Sequence, residues 1–426
     1  MNITILAVGS RGDVQPYVAL AQGLQAAGHA VKVAAGTNFE CFVRGQGVDY
    51  APLRADYYAL MDSPEGQALK SGNPMRVMQH MKTTVFPLMR RLLDDTWAAA
   101  QNADALIYHP KALSGLHLAE ALGIPAIAAI ALPIVAPTSA FPAPGLPLPN
   151  LGGFFNRLTY KLVDAAAASF GGMIQEWRQS IGLSATSNVI QGMMLRGQPV
   201  PVLYFYSQYV IPHPADWPPS VHVTGYWFLK DQSGWTPPED LVRFLAEGPA
   251  PVYVGFGSMV AENAESFTRT VIEGIQQAGV RAVLATGWGG LRASDLPASI
   301  FRLQEAPHDW LFPQMAAVAH HGGAGTTGAG LRAGKPTVIV PFIADQPFWG
   351  QQVEKLGVGP APIPQKRMTA AALAAALKMA VTNSSMREQA LQLGERIRTE
   401  DGVGEAVRVI QQVLGAPESK LHPTKS

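Results

Sequence analysis

Two kinds of apolar spacing alternate along the chain: short continuous runs, and repeats of three to four residues. The run at residues 2–8 is typical of a buried strand, and residues 17–31 place apolar side chains on one helical face. The same succession of a continuous apolar run and a helical repeat recurs at residues 105–109 and 113–123, and it starts again after residue 250. Such strand–helix–strand units indicate parallel sheets covered by helices on both faces. We therefore predict an α/β protein with two Rossmann-like, doubly wound domains that face a cleft.

Proline-rich breaks in this pattern divide the chain. Residues 133–153 are rich in Pro and Gly and are predicted to form a long loop, and residues 212–240 are the best candidate for a linker. The predicted division is an N-terminal domain at 1–211, the linker at 212–240, a C-terminal domain at 241–395, a C-terminal helix at 396–415 that packs back on the N-terminal domain, and a disordered polar tail at 416–426.

Composition and charge exclude several classes of protein. Thirty-two Lys and Arg balance 31 Asp and Glu, so no basic excess argues for a nucleic-acid partner. The single cysteine, Cys41, cannot form an internal disulfide, which favours a reducing compartment. The longest apolar stretch, residues 124–137, contains three prolines and is too short to cross a bilayer. We expect a cytoplasmic protein with no signal peptide and no transmembrane segment, and peripheral membrane contact stays open.

A glycine-rich segment, residues 320–336, lies between a strand and a helix. Its bare amides and the positive helix end are suited to an anion such as phosphate, and His321 and Thr326 add donors. A Walker loop is excluded because no Gly-Lys-Ser/Thr follows, while a tight turn without a ligand is the alternative. Asp345 and Gln346 follow at the next strand end, where an acid–amide pair suits vicinal hydroxyls of a sugar. For Asp345 the alternative is a helix cap.

The loop GSRGDVQP, residues 9–16, joins the first strand to the first helix and contains one acid, Asp13. A carboxylate at a helix N-terminus is kept ionised by the helix dipole. Such a group can accept a proton from an alcohol, although it is a weak base. The alternative is that Asp13 only caps the helix.

Taken together, these segments resemble a known family. Residues 306–359 resemble the nucleotide-sugar signature of the glycosyltransferases that include sterol glucosyltransferases, glycopeptide-antibiotic glycosyltransferases and plant UDP-glycosyltransferases. Residues 9–16 resemble the N-terminal loop of the sterol and antibiotic branches, and residues 252–259 the first strand and turn of the donor domain. The resemblance implies the GT-B fold, an N-terminal acceptor domain, a C-terminal donor domain and inversion at the anomeric carbon. It also implies no metal and no cofactor, with a UDP-sugar as co-substrate.

The same resemblance implies roles for individual donor-binding residues. They are the diphosphate group His321, Gly323, Ala324, Gly325 and Thr326, the phosphate-side residues Ser10, Arg11, Gly12 and Ser258, the uracil-side residues Ala306 and His308, and the sugar pair Asp345 and Gln346. Two positions depart from the plant pattern: Ala329 stands where a Glu binds the ribose, and Glu305 where a Trp precedes the uracil loop.

For the chemistry, the resemblance makes Asp13 the catalytic base. Plant relatives carry a histidine on this loop and pair it with an Asp after a later strand, where this chain has His109. The two members of the pair are thus predicted to be exchanged. His109 either orients Asp13 or is itself the base, and a histidine bonded only to backbone is the alternative.

The predicted acceptor is an apolar alcohol or phenol, such as a sterol, polyketide, flavonoid or lipid. Residues 75–101 and 151–195 are rich in apolar side chains under the loop 133–153, although ordinary core packing explains such residues equally well. Residues 132–145 lack the PWTR-like stretch of sterol glucosyltransferases. The predicted reaction moves a hexose, first of all glucose from UDP-glucose. The alternatives are a non-catalytic nucleotide-sugar-binding partner of another transferase, and a nucleotide-sugar epimerase, which needs more acids in the cleft.

Overall fold

The computed structural model describes residues 1–54, 81–146, 148–186, 193–229, 234–257, 259, 263–286 and 296–415. Two sheets of parallel strands carry the architecture, and helices cover both faces of each sheet. This arrangement confirms the predicted fold class.

The N-terminal sheet has seven strands in the order β3-β2-β1-β4-β5-β8-β9, all parallel. Its strands are β1 (Asn2–Leu6), β2 (Ala30–Gly36), β3 (Asp49–Leu53), β4 (Ala105–Tyr108), β5 (Ala126–Ile130), β8 (Val202–Tyr204) and β9 (Val221–Val223), and a separate hairpin is formed by β6 (Met194–Leu195) and β7 (Gln198–Pro199). The accompanying helices are α1 (Arg11–Ala26), α2 (Glu40–Gly45), α3 (Phe86–Ala100, after a π-helical turn Met81–Val85), α4 (Gly115–Leu122), α5 (Gly153–Ala168) and α6 (Gly171–Ser180).

The C-terminal sheet has five parallel strands in the order β12-β11-β10-β13-β14. Its strands are β10 (Val252–Gly255), β11 (Ala282–Ala285), β12 (Ile300–Leu303), β13 (Ala317–His320) and β14 (Thr337–Ile339). The helices of this half are α7 (Glu239–Ala246), α8 (Ala264–Ala278), α9 (His308–Leu311), α10 (Ala324–Arg332), α11 (Gln346–Lys355), α12 (Ala370–Thr382), α13 (Ser384–Arg398) and α14 (Gly402–Gly415).

Strand order reverses beside the first strand of each sheet, between β1 and β4 and between β10 and β13. In an open parallel sheet the loops at such a reversal diverge and leave a crevice at the carboxyl ends of the strands. In the N-terminal sheet His109 N donates to Leu6 O at 2.9 Å, so the loops after β1 and β4 start side by side. This pairing positions the candidate site.

The core follows the two-residue period of a strand. Ile3 and Ile5 of β1 lie in a buried cluster with Ala406 and Ile410 of α14, while Leu6 points to the opposite face and a second cluster. Each such side chain contributes about 1.5–3 kcal/mol when fully buried. The last helix thus completes the core of the N-terminal sheet.

Two of the predicted boundaries were wrong. The strand β9 lies inside the predicted linker 212–240, because residues 221–223 pair with β8 despite the surrounding prolines. The predicted helix 396–415 is two elements: α13 ends at Arg398 and α14 begins at Gly402. The chain therefore leaves the N-terminal sheet after Val223 and enters the C-terminal helices at Glu239, and it returns between Arg398 and Gly402.

The two crossing segments touch each other. A Cβ built on Gly402 would lie 2.7 Å from the backbone of Gly225, and Gly225 itself has φ +89°. The close approach therefore requires glycine at both positions.

No helix in the part of the chain that the structure describes is long and apolar enough to cross a membrane.

Candidate functional site

Asp13 is the third residue of α1, and one of its carboxylate oxygens holds the start of that helix. Oδ2 accepts hydrogen bonds from Ser10 N at 2.7 Å and from Ser10 Oγ at 3.1 Å, and Ser10 is the N-cap. Gly9 has φ +141°, and a Cβ at this position would overlap Asp13 Oδ2. Only one of the two oxygens therefore caps the helix, and these hydrogen bonds fix the orientation of the carboxylate.

The second oxygen, Asp13 Oδ1, faces two cationic or donor groups from the loop after β4. Lys111 Nζ donates to it at 3.0 Å, and His109 Nε2 lies 3.5 Å away. Burial raises the pKa of Asp13, but the charge of Lys111, the facing His109 ring and the Ser10 amide together outweigh it and hold the pKa below its ordinary value. Asp13 is consequently a carboxylate at neutral pH. Lys111 was missed by sequence reasoning, and its position two residues after His109 is the signal that could have found it.

His109 is buried, with 2% of its surface exposed, and its protonation state follows from its partners. Its Nδ1 accepts a hydrogen bond from Lys111 N at 3.0 Å, so the ring proton resides on Nε2. Burial, and then the charge of Lys111, lower the pKa of His109 to about 3 against the opposing effect of Asp13. The structure thus brings His109 and Asp13 together, with a neutral ring whose Nε2–H faces the carboxylate.

On the opposite side of the cleft, α10 begins with Gly323 as its N-cap and with the predicted diphosphate-binding residues Ala324, Gly325 and Thr326 in its first turn. The first N–H groups of a helix have no intrahelical acceptor and are suited to an anion. His321 precedes them, and its buried Nδ1 has no hydrogen-bond partner among the described residues. Burial lowers the pKa of His321 to about 4, so the ring is neutral at pH 7 and can donate one hydrogen bond.

The neighbouring His320 has a different task. It is fully buried at the end of β13, and its Nδ1 accepts a hydrogen bond from Gly322 N at 3.0 Å. His109 accepts the equivalent bond from the amide two residues later, so a histidine holds the loop in both domains. Sequence reasoning did not separate the structural His320 from the cleft-facing His321.

The residues predicted to bind the nucleobase lie where the two domains approach each other. Arg11 Nη1 is 3.6 Å from Glu305 Oε2, a contact between exposed side chains across the cleft. His308 stacks on Phe312, with ring centroids 4.2 Å apart, and burial followed by Arg11 and His321 lowers its pKa to about 4. Ala306 is partly buried beside this group, Gly12 lies in the first turn of α1, and Ser258 lies outside the described residues.

Asp345 and Gln346 stand at the start of α11. Asp345 Oδ2 accepts a hydrogen bond from Trp349 Nε1 at 2.9 Å, and its side chain makes no capping bond to the helix backbone. Burial raises the pKa of Asp345 against the opposing effect of the Trp349 hydrogen bond, and the charge of Asp13 adds a smaller rise. Gln346 is buried and its Oε1 accepts from Phe342 N at 2.7 Å, so this amide already holds the preceding loop.

The proline-rich loop after β5 reaches the same region. Asp216 holds its start, accepting hydrogen bonds from Thr138 Oγ1 at 2.6 Å and Ser139 N at 2.8 Å. Phe141 packs on Phe348 of α11, with ring centroids 6.2 Å apart. The loop therefore borders the cleft beside Asp345. Of the helical stretches predicted near it, residues 75–80 and 187–192 lie outside the described residues.

Among the residues that the structure describes, no three His, Cys, Asp or Glu side chains are grouped to hold a metal ion. That the transfer needs no metal is still a prediction.

Family models match both halves of the chain. The glycosyltransferase family 28 N-terminal domain matches residues 3–141, and the C-terminal domain of erythromycin biosynthesis protein CIII-like proteins matches residues 287–412. A sterol 3-beta-glucosyltransferase of Aspergillus terreus is 42% identical over 97% of this chain. The chain spans 30% of the length of that relative.

Solved structures show the same fold. The glycosyltransferase of kitacinnamycin superposes with a TM-score of 0.73 at 20% identity, covering 97% of this chain and 99% of that one. The glycosyltransferase SsfS6 of Streptomyces sp. SF2575, solved with thymidine diphosphate, gives a TM-score of 0.62 at 22% identity, covering 97% and 99%. The chain therefore has the GT-B fold of these glycosyltransferases, its two family-model matches follow the order of its two sheets, and it is similar in sequence to the sterol 3-beta-glucosyltransferases.

Proposed function

We propose that this chain is an inverting, metal-independent glycosyltransferase that moves a hexose from a nucleotide diphosphate sugar to the hydroxyl of an apolar acceptor. The observation that carries the proposal is the orientation of Asp13: one oxygen is locked by Ser10, and the other faces Lys111 and His109 at the carboxyl ends of β1 and β4, where the strand order of the sheet reverses. The likeness to sterol 3-beta-glucosyltransferases supports an apolar acceptor and glucose as the first sugar to test.

In the proposed reaction the acceptor oxygen attacks the anomeric carbon of the sugar from the Asp13 side. A bond forms between that oxygen and the carbon, the bond from the carbon to the diphosphate oxygen breaks, and the hydroxyl proton passes to Asp13 Oδ1. Asp13 is a weak base because its pKa is held low. A weak base suffices, because the hydroxyl becomes strongly acidic as its oxygen bonds to carbon.

His109 is a positioning residue in this proposal rather than the base. A base needs an unoccupied lone pair, and Nδ1 already accepts from Lys111 N while Nε2 carries the proton that faces Asp13. The neutral imidazole can stabilise the carboxylate without delivering a competing proton. Of the two roles that the sequence left open for His109, the proposal adopts the orientation of Asp13.

The leaving diphosphate gains negative charge as its bond to the sugar breaks. The first amides of α10 and the positive end of that helix can stabilise this charge, and His321 can donate from its ring. Arg11 approaches the same side from the N-terminal domain. The donor is proposed to lie on the C-terminal domain with its sugar toward Asp345.

The test is product formation followed by mass spectrometry. The wild type and Asp13→Asn are incubated with UDP-glucose or TDP-glucose and a panel of sterols, flavonoids and macrolides, with Asp49→Asn on the exposed surface of β3 as the matched control. We expect a hexose adduct with the wild type and the control, and a loss of about 10²–10⁴ in rate for Asp13→Asn.

Retention of donor binding by Asp13→Asn, measured by calorimetry with UDP or TDP, shows that the fold and the donor domain are intact. An adduct formed at an unchanged rate by Asp13→Asn would refute the role of Asp13. Donor binding by the wild type without any adduct would instead support the non-catalytic partner.

A further inference from the structure

The helix α5 exposes a row of large apolar side chains, while its buried residues are the polar Asn156 and Tyr160. Phe154, Phe155, Leu158 and Leu162 are 77%, 52%, 46% and 55% exposed, and Leu151 just before the helix is 63% exposed. Their spacing of three and four residues places them on one face. A surface helix of a globular protein normally shows the reverse distribution, so this face is unusual for a surface in contact with water.

The inward face of α5 is polar and holds the loop that borders the cleft. Asn156 Nδ2 donates to Ser139 O at 2.9 Å, Thr159 Oγ1 accepts from Ala143 N at 2.7 Å, and Tyr160 Oη donates to Pro133 O. The helix and the loop thus form one unit. Whatever binds the outer face of α5 is held next to the entrance of the cleft.

Two basic residues follow one edge of the apolar face. Arg157 and Lys161 are four residues apart and both exposed; Arg157 donates to Asp216 at 2.9 Å, and Lys161 forms no ion pair with any described residue. Asp164 lies beyond them on the same edge. A helix with aromatic and aliphatic side chains on one face and Lys or Arg at its border is typical of helices that lie in a membrane interface.

The size of the face argues against a second copy of the chain as its partner. A helix of 16 residues is about 24 Å long and about 10 Å wide, so the face offers roughly 240 Å². A stable protein–protein interface buries about 800 Å² on each partner. A bilayer needs no such area, because each inserted side chain adds its own transfer free energy.

We propose that the outer face of α5 rests on a lipid bilayer, with Phe154, Leu158 and Leu162 between the lipid headgroups and Lys161 beside anionic ones. The loop held by α5 then opens toward the membrane, where an apolar acceptor is dissolved. The binding surface stands on the exposed side chains alone; only its use in delivering the acceptor rests on the proposed function.

The test is flotation with vesicles of phosphatidylcholine alone or mixed with phosphatidylglycerol. We expect the wild type to float with the mixed vesicles, and Phe154→Asp/Leu158→Asp to partition at least tenfold less. The matched control is Val242→Asp/Met379→Asp, which places the same charges at exposed apolar positions on α7 and α12 and is expected to float like the wild type.

The variant Lys161→Glu tests the electrostatic contribution to membrane binding. It is expected to weaken flotation with the phosphatidylglycerol vesicles and to leave binding to phosphatidylcholine unchanged. Equal flotation of the wild type and Phe154→Asp/Leu158→Asp would overturn the proposal. So would a dimer in light scattering that this double variant dissociates, with no vesicle binding.

Transfer assays keep this proposal separate from the proposed function. With a water-soluble phenol as acceptor, Phe154→Asp/Leu158→Asp is expected to retain the wild-type kcat/KM, and with a sterol embedded in vesicles it is expected to lose at least tenfold. If the wild type transfers no sugar to any acceptor while the flotation results stand, the proposed function fails and the membrane surface remains.

Discussion

Replacing His109 distinguishes a positioning residue from a catalytic base. Gln retains an N–H that can reach Asp13 Oδ1, as the Nε2–H of His109 does at 3.5 Å, but it cannot accept a proton from the acceptor. Leu removes the donor as well. Both side chains fit a site whose present ring is buried and packs edge-on to Tyr17, with ring centroids 6.2 Å apart.

The expected losses differ by orders of magnitude between the two roles. Removal of a base costs about 10²–10⁴ in rate. Removal of a hydrogen-bond donor to a carboxylate costs about 1.5–3 kcal/mol; the 3.5 Å between His109 Nε2 and Asp13 Oδ1 is longer than a normal hydrogen bond, so the loss is at most the lower end of this range, about tenfold. We therefore expect His109→Leu to lose about tenfold in kcat/KM and His109→Gln to lose less.

The assay is kcat/KM as a function of pH, with thermal unfolding as the control for stability. Asp13 acts as a carboxylate, and its pKa is held below the ordinary value, so activity is full at neutral pH and falls as the pH drops through that pKa. Loss of His109 removes one cause of the lowered pKa of Asp13. The acidic side of the pH profile of kcat/KM is therefore expected to move to higher pH in His109→Leu. A loss of a hundredfold or more in His109→Gln, with unchanged stability, would refute the reasoning and make His109 the base.

Three further changes test the parts around this pair. Lys111→Met raises the pKa of Asp13 and moves the acid limb of kcat/KM to higher pH, with a loss below about tenfold at pH 7 because the pair is partly exposed; an unmoved limb would contradict this. Gly9→Ala displaces the Asp13 carboxylate and destabilises the protein by about 1–3 kcal/mol in urea unfolding, whereas Gly45→Ala, with open space around it, is the neutral control. Asp216→Asn loosens the loop after β5, so the acceptor KM rises while the donor KM stays constant; equal changes in both would count against the role assigned to the loop.

Much of the architecture could be predicted because local patterns determine it. Alternating strand and helix signals predict a parallel sheet, and the handed connections of such sheets place the loops after β1 and β4 together. This is why Asp13 and His109, 96 positions apart in the chain, could be proposed as a pair. The short strand β9 was missed because prolines flank it, and its stability comes from pairing with β8.

The chemistry of the site depended on features that no pattern encodes. The tautomer of His109 is determined by one backbone amide, and the long side chain of Lys111 reaches Asp13 only because the loop after β4 turns back. Gln346 is predicted to bind the sugar, and its oxygen also accepts two backbone N–H groups of its own loop, which the sequence does not reveal. Such assignments require the positions of individual atoms.

The contact between Gly225 and Gly402 has a mechanical consequence. Because the two segments that join the domains touch at this point, they act as a single pivot rather than as two separate attachments. A pivot of this kind permits one domain to rotate relative to the other and resists both sliding and separation. Rotation about this point widens or narrows the cleft in which the donor is proposed to bind, while the two domains stay joined at one place.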